Sequence, residues 1–275
     1  TSILYLALKD LGAEFLNYYI PIRDEGYGLN NTALKTIKDS GADLLITVDC
    51  GITSFKEIEF AKSIGLDVII TDHHDIQSDK IPNAYSIINP KRTDNAFTFN
   101  ALAGVGVAFM LILNLYEKLK TKEEAYVYLD LVAIGTIADI VPLVKENRIF
   151  AKHGLEKLLY SENKGLRFLI TKLFETAKLE FTTYDVGFVI APVFNAAGRL
   201  KDAKMVVKLL TSDNDREIEV ISKELINKNF ERRELQTTLV ELVEANIQKN
   251  NLNDNLVIVD ASSEYHHGII GIIAS

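Results

Sequence analysis

Helix-like and strand-like patterns alternate over residues 1–71, and that alternation restricts the possible folds more than any other feature of the chain. Thr1 to Leu11 carries apolar residues at 3, 4, 6, 8 and 11 and stops at Gly12, the spacing and terminator of a helix. Glu14 to Pro21 then reads as an aromatic and apolar strand, Gly28 to Ser40 as a helix with Gly41 after it, and Ala42 to Val48 as a second strand. Phe55 to Ile64 reads as a third helix and Leu66 to Thr71 as the next strand. Strands separated by helix-length segments pair in parallel through crossovers, so an α/β fold is expected, a parallel sheet with crossover helices. Such a sheet ordinarily begins with a strand, whereas this chain begins with a helical pattern and without Met. A strand upstream of Thr1, lying beside the Asp49 strand, is therefore expected.

Two of these strands end in chemistry. The apolar run Asp67-Val68-Ile69-Ile70 breaks into Thr71-Asp72-His73-His74-Asp75, and Val48 runs into Asp49-Cys50-Gly51. Open α/β sheets place their sites at the carboxyl ends of strands. Two histidines flanked by aspartates can supply an imidazole ligand, a carboxylate that orients it and a second imidazole facing substrate; a polar turn holding two histidines is the plainer alternative. Asp49 and Asp72 are 72 − 49 = 23 residues apart, one strand-helix-strand step, and should emerge side by side on one sheet edge. Cys50 reads as a small buried filler rather than a reactive thiol.

Beyond the histidines, Ser86-Ile87-Ile88-Asn89-Pro90 is a short strand stopped by proline, and Leu102 to Leu119 a long apolar helix opening on Gly104 and Gly106. Those glycines read as close helix packing, with a phosphate cradle as the other option. Glu123 to Ile140 is apolar almost all round and should be a buried helix. A carboxylate near its end, Asp139, must then be neutral, paired, capping or metal-bound. Shorter helical patterns fill Asn147 to Phe188. Ala191 to Leu200 combines small residues with Asn195 and Arg199, which suits either a phosphate oxygen or a helix start with a structural Arg. Asp213 to about Gln248 reads as one helix that bridges two domains, Asn255 to Asp260 as a new strand, and Tyr265 to Gly271 as a turn opening a helix. The division expected is 1–212 for the first domain, 213–250 for the bridging helix and 251–275 for the start of a second α/β domain.

Composition excludes several classes. With 48% hydrophobic and 25% charged residues the chain is an ordinary globular protein. No apolar run reaches the ~18 residues of a membrane span and no signal-peptide pattern opens the chain. A single cysteine precludes an intrachain disulfide and fits the cytoplasm. A net charge of −8 argues against a uniformly basic nucleic-acid coat, so any nucleic acid must be held in a local basic groove or through metal ions. Carboxylates with imidazole and no thiolate suit Mn²⁺ or Mg²⁺ better than structural zinc. A pair of such ions about 4 Å apart would activate water for an in-line phosphoryl displacement. The residues thus point to a metal-dependent phosphoesterase.

Five ordered motifs also resemble a known family, the DHH phosphoesterases, and its branch of single-strand-specific 5′→3′ DNA exonucleases. Val48 to Ser54 resembles the second family motif, Asp72-His73-His74 the third, and Gly135 to Leu143 the fourth. Asn195-Ala196-Ala197-Gly198-Arg199-Leu200 is similar to a segment of the exonuclease branch, and Tyr265-His266-His267-Gly268-Ile269-Ile270-Gly271 to the opening of its DHHA1 domain. The resemblance implies that Asp49 bridges two Mn²⁺ or Mg²⁺ ions, that His73 and Asp139 bind one of them, and that Asp72 supports the site. It implies that His74, Asn195, Arg199 and His266 meet substrate phosphate. Separately, substrate is expected to run through a cleft between the first domain and the one beginning near Asn255, with Arg199 and His266 on opposite walls. The partner implied is single-stranded DNA, in repair and recombination, with a single-strand-binding protein and a helicase alongside.

The first family motif is represented here only by Thr1-Ser2, and Val193-Phe194 stands where the branch has Arg-Ile. Residues 1–275 alone are accordingly expected to be inactive, with Asp75, Asp94 and Asp130 as substitute ligands should they prove active. Competing readings are a DHH phosphodiesterase of cyclic dinucleotides or short oligonucleotides, and an inactive DHH scaffold for replication proteins.

Overall fold

The computed structural model describes residues 1–275 apart from 23–24, 78–79, 201–202, 254, 264 and 275, with Leu200 described by its backbone only. Three strands, β1 (Leu44–Val48), β2 (Asp67–Thr71) and β3 (Ser86–Ile88), form a parallel sheet in the order β1-β2-β3. The register pairs Val48 with Thr71 and Thr71 with Ile88, so all three strands end level at their carboxyl ends. Alternating side chains divide the sheet between two layers. Val68 and Ile70 pack with Leu34 of helix α2 (Asn31–Asp39) and with Ile58 and Ala61 of α3 (Phe55–Ser63). Ile46, Val48 and Ile88 face the opposite layer, built on α4 (Gly104–Leu119) and α1 (Ser2–Asp10). Asn30 caps α2 by accepting from Ala33 N, which starts that helix three residues later than the sequence pattern suggests.

The second half is helical. α5 (Leu129–Ala138) packs on α4 and α6 (Lys145–Leu158) on α5, with α7 (Lys164–Leu173) following, and Gly154 lets α6 approach the Leu129 carbonyl and Ala133 of α5. The single helix expected over Glu123–Ile140 is instead a 3₁₀ segment, Lys122–Tyr128, followed by α5. A capping box between Thr121 and Glu124 starts the first piece. A π-helical turn, Asp185–Ile190, runs directly into α8 (Ala191–Leu200), followed by α9 (Lys204–Thr211). The long helix appears as α10, Asp215–Lys249, 35 residues capped by Asn214. Its first turns bury Ile218, Ile221 and Leu225 against Leu169, Val193 and Met205, and its far end meets α11 (Ile270–Ile273).

Two expected strands do not form. Glu14–Pro21 is irregular, with a bend at Glu14–Phe15 and Phe15 wholly exposed, and Asn255–Asp260 is irregular with Leu256, Val257 and Val259 exposed. Both have strand-like composition, but among the described residues neither lies beside a ladder partner, and isolated strands have nothing to satisfy their backbone groups. No helix among the described residues is long and apolar enough to cross a membrane.

Asp130, at the start of α5, is buried at 1% exposure, where it accepts from Ser161 Oγ at 2.5 Å and from Leu131 N at 2.7 Å. Burial pushes its carboxyl above the usual range, with the Ser161 and Leu131 hydrogen bonds acting against the shift. The folded protein therefore holds this proton to a higher pH than the unfolded chain does. Stability contributed by the group falls as pH rises from the unfolded carboxylate range through the raised value. Asp130→Asn is expected to raise the thermal midpoint by a few degrees at pH 7 and to leave it unchanged near pH 4. An equal shift at both pH values, followed by circular dichroism, would remove the ionisation argument.

Candidate metal centre

The site lies where β1 and β2 end. Asp49 N still donates to Thr71 O at 2.9 Å and Asp72 N to Ile88 O at 3.1 Å, so both aspartates sit one step past the ladder. Asp49 takes a left-handed conformation, φ +66, and Gly51 follows at φ +114; the first is tolerated by Asp, and the second needs glycine because a Cβ there would crowd Thr47 Oγ1 at 3.0 Å. This reversal turns the Asp49 carboxylate towards the β2 end.

Asp72 is buried and saturated. One carboxylate oxygen accepts from Ile52 N at 2.9 Å, while the other accepts from His73 N at 2.8 Å, His74 N at 3.2 Å and His74 Nδ1 at 2.7 Å. It shapes the His73-His74 turn and ties it to the Asp49 loop. His73 is held from the opposite side, its Nδ1 donating to the Leu102 carbonyl at 2.9 Å. That bond leaves Nε2 to face the carboxylates, 3.0 Å from Asp49 Oδ1 and 3.6 Å from Asp139 Oδ2. Asp139 is the C-cap residue of α5, so its capping position and its place at the site coexist. The next residue, Ile140, is left-handed at φ +58 and exposed, a conformation that costs a β-branched residue about 1–2 kcal/mol.

The electrostatics follow from this crowding. Hydrogen bonding to Asp49 raises the His73 imidazole above its ordinary value, against the opposing effect of burial. Burial pushes the Asp139 carboxyl up, with His73 acting in the other direction. Burial also lifts the Cys50 thiol to about 12, consistent with an inert filler rather than a nucleophile. Ligand atoms of Asp49, His73 and His74 all lie within 4.8 Å of one another. Carboxylates and neutral imidazoles without thiolates are donors for Mn²⁺ or a similar divalent cation, so the residues present fit the metal that the sequence implies. The substitute carboxylates do not join them: Asp75 pairs with Lys91 at 2.9 Å, Asp94 with Arg92 at 2.6 Å, and Asp130 with Ser161.

Two supporting residues, Tyr27 and Asn147, escape the sequence reading, and a third, Gly104, was read there only for packing or a phosphate cradle. Gly104, at the start of α4, lies against Asp49, and a Cβ there would fall 2.6 Å from Asp49 Cγ. The close packing expected of this glycine thus admits a carboxylate, while Gly106 serves helix packing against Leu102 and Phe150. Tyr27 Oη donates to the Asp49 carbonyl at 2.5 Å and lies 3.5 Å from His74 Nε2. Asn147, fully buried, donates to Ala101 O at 2.6 Å and Pro142 O at 3.0 Å. It thereby clamps the peptide before Leu102 to the loop after Asp139. Only the glycine had a local signal, as one member of a pair at a helix start.

The residues expected at phosphate divide into two groups. His74 is part of the centre, whereas Asn195 and Arg199 lie along α8 and His266 in the turn before α11. Arg199 Nη1 donates to Gly268 O at 3.0 Å, and Gly268 N donates to His266 Nδ1 at 3.0 Å. Arg199 therefore touches the 266–268 turn directly instead of facing it across a gap.

The family model for the DHH family, N-terminal domain, matches residues 1–136. A manganese-bound crystal structure of exonuclease RecJ superposes with a TM-score of 0.86 at 34% identity, covering 100% of this chain and 68% of that one. The chain belongs to the DHH family. Its curated relatives are more particular: it is 40% identical to the single-stranded-DNA-specific exonuclease RecJ of Bacillus subtilis and 37% identical to that of Escherichia coli. Each match takes in 100% of this chain but 34% and 50% of the respective relative. The chain spans a third to a half of the length of these relatives. A Mn²⁺ complex of RecJ from Thermus thermophilus gives a TM-score of 0.81 at 32% identity, over 99% of this chain and 38% of that one.

Proposed function

We propose that this chain carries the phosphoesterase part of a metal-dependent exonuclease that removes nucleotides from the 5′ end of single-stranded DNA. The observation that carries the reading is the convergence of Asp49 and Asp139 on Nε2 of His73, the ring nitrogen not bonded to the Leu102 carbonyl, at the carboxyl end of a parallel sheet. Support comes from full-chain similarity to proteins named as single-stranded-DNA-specific exonucleases. In this proposal Asp49, His73 and Asp139 hold Mn²⁺ or Mg²⁺, which when bound supplies a water activated for attack and a clamp on the phosphoryl oxygens. Asp72 fixes the imidazole turn, the Leu102 carbonyl selects the His73 tautomer that presents Nε2, and His74 faces substrate phosphate. Asn195, Arg199 and His266 bind backbone phosphates further along the strand. The first domain covers 1–212, a bridging helix 213–250, and a second domain begins at 251–275. A cytoplasmic setting, with single-strand-binding protein and a helicase as partners, belongs to the same proposal.

The test uses the full-length protein with Mn²⁺ on long single strands labelled at either end, on duplex and on a dinucleotide. Mononucleotide release from the 5′ label of the single strand, abolished by chelation, is expected. Hydrolysis confined to the dinucleotide would favour the short-oligonucleotide phosphodiesterase, and no metal-dependent hydrolysis would favour the scaffold.

A further inference from the structure

An exposed aromatic pair precedes α8. Tyr184 and Phe188 are 64% and 65% exposed, yet their rings stack on each other at 4.8 Å between centroids and 23° between planes. Large apolar side chains this exposed lose the hydrophobic gain of burial, and a stacked pair presents an outward aromatic face. The pair is firmly carried. Asp185 accepts from Thr182 N and Thr182 Oγ1, both at 2.8 Å, and from Lys178 Nζ at 2.8 Å, anchoring the first turn. Val186 and Ile190 are buried in the main core. The chain here is π-helical, a form that recurs at functional sites.

The two rings begin a stripe. Along the continuous helix from the π turn through α8, Tyr184, Phe188 and Asn195 are exposed and Pro192 and Arg199 half-buried, while Ile190, Val193, Ala196 and Ala197 are buried. One face therefore offers two aromatic rings, then an amide, then a guanidinium, over about 20 Å at ~1.5 Å per residue. The inner side of the same turn packs towards the metal centre: a Cβ on Gly187 would be 4.0 Å from Ile137, two residues before Asp139.

We infer that the Tyr184–Phe188 pair is a stacking platform for bases of a single nucleic-acid strand whose phosphates continue along Asn195 and Arg199. The inference rests on the proposed single-strand activity and adds a base-binding site to it. Aromatic faces accept any base, and duplex bases are already stacked, so the platform selects for an unpaired strand without reading sequence. A protein partner would use the apolar edge of the pair and would be indifferent to the nucleobases.

The experiment compares full-length, Mn²⁺-loaded wild type and Phe188 variants on a long single strand and on the same strand made abasic near its 5′ end. Loss of one base–aromatic stack is expected to raise KM about tenfold for Phe188→Ala on the base-bearing strand. Phe188→Leu, which keeps the apolar bulk, should behave like the alanine variant, and Phe188→Trp should stay within about twofold of wild type. On the abasic strand all four proteins should share one KM. An unchanged KM for Phe188→Ala on the base-bearing strand, or an equal loss on both strands, overturns the platform while leaving the nuclease reading in place. Failure of the wild type to degrade either strand removes the nuclease reading, and the platform with it.

Discussion

Asp49→Ala in the full-length protein is expected to lower the rate of single-strand hydrolysis by at least about a hundredfold, with a matching loss of Mn²⁺ affinity. Asp49 is the carboxylate nearest to His73 Nε2, at 3.0 Å, and its backbone sits in a left-handed turn directed at the site. Removing it takes away a ligand and also the group that holds the imidazole in place. The fold should survive, because the side chain is about half exposed and the turn is fixed by its own backbone bond to Thr71. Hydrolysis measured over a manganese titration, beside calorimetric metal binding, checks this. Activity within tenfold of the parent would take the metal role away from Asp49.

Gly104→Ala should be nearly as damaging, although no charge or donor is lost. The added methyl would lie 2.6 Å from Asp49 Cγ and 2.8 Å from its Cβ, inside any tolerated contact. Asp49 is the more mobile of the two, since Gly104 begins α4 and that helix is buried through Val107, Phe109 and Ile112. The carboxylate is therefore displaced, and a drop of about 10- to 100-fold in Mn²⁺ affinity is expected with little change in thermal midpoint. Gly106→Ala supplies the control. Its Cβ would meet Leu102 Cδ2 at 3.3 Å and Phe150 at 3.6 Å, a tight contact set against a helix-propensity gain of about 1 kcal/mol, so stability should change by no more than about 1 kcal/mol while metal affinity stays near that of the parent. If both glycine variants lose stability and metal binding in the same proportion, Gly104 has no special relation to Asp49.

The parallel sheet, most helices and the centre itself were legible in the residues because their signals are local. Strand periodicity ends abruptly in ionisable residues at Asp49 and at Asp72, and a parallel sheet must bring adjacent strand ends together. The 35-residue α10 was legible from uninterrupted helical spacing, while its start at Asp215 and the Asn214 cap came from the structure. Asp139 was visible as a carboxylate that an apolar helix could not bury unpaired.

Sequence by itself determined the parallel strand-helix alternation, the strand ends that carry chemistry and the donor types that select the metal, since each follows from periodicity or from the cost of burying charge. Tertiary structure alone decided which segments with strand composition found a ladder, leaving Glu14–Pro21 and Asn255–Asp260 unpaired among the described residues. It also decided which distant groups complete the centre. Gly104 meets Asp49 across 55 residues, Leu102 O meets His73 Nδ1 across 29, and Asn147 joins Ala101 to Pro142. It set Arg199 against the Gly268 turn and stacked Tyr184 on Phe188 in solvent. The physical reason is the same in each case: a side chain's partner across the fold depends on how whole elements pack, and packing geometry leaves no periodic trace in the residues around either partner.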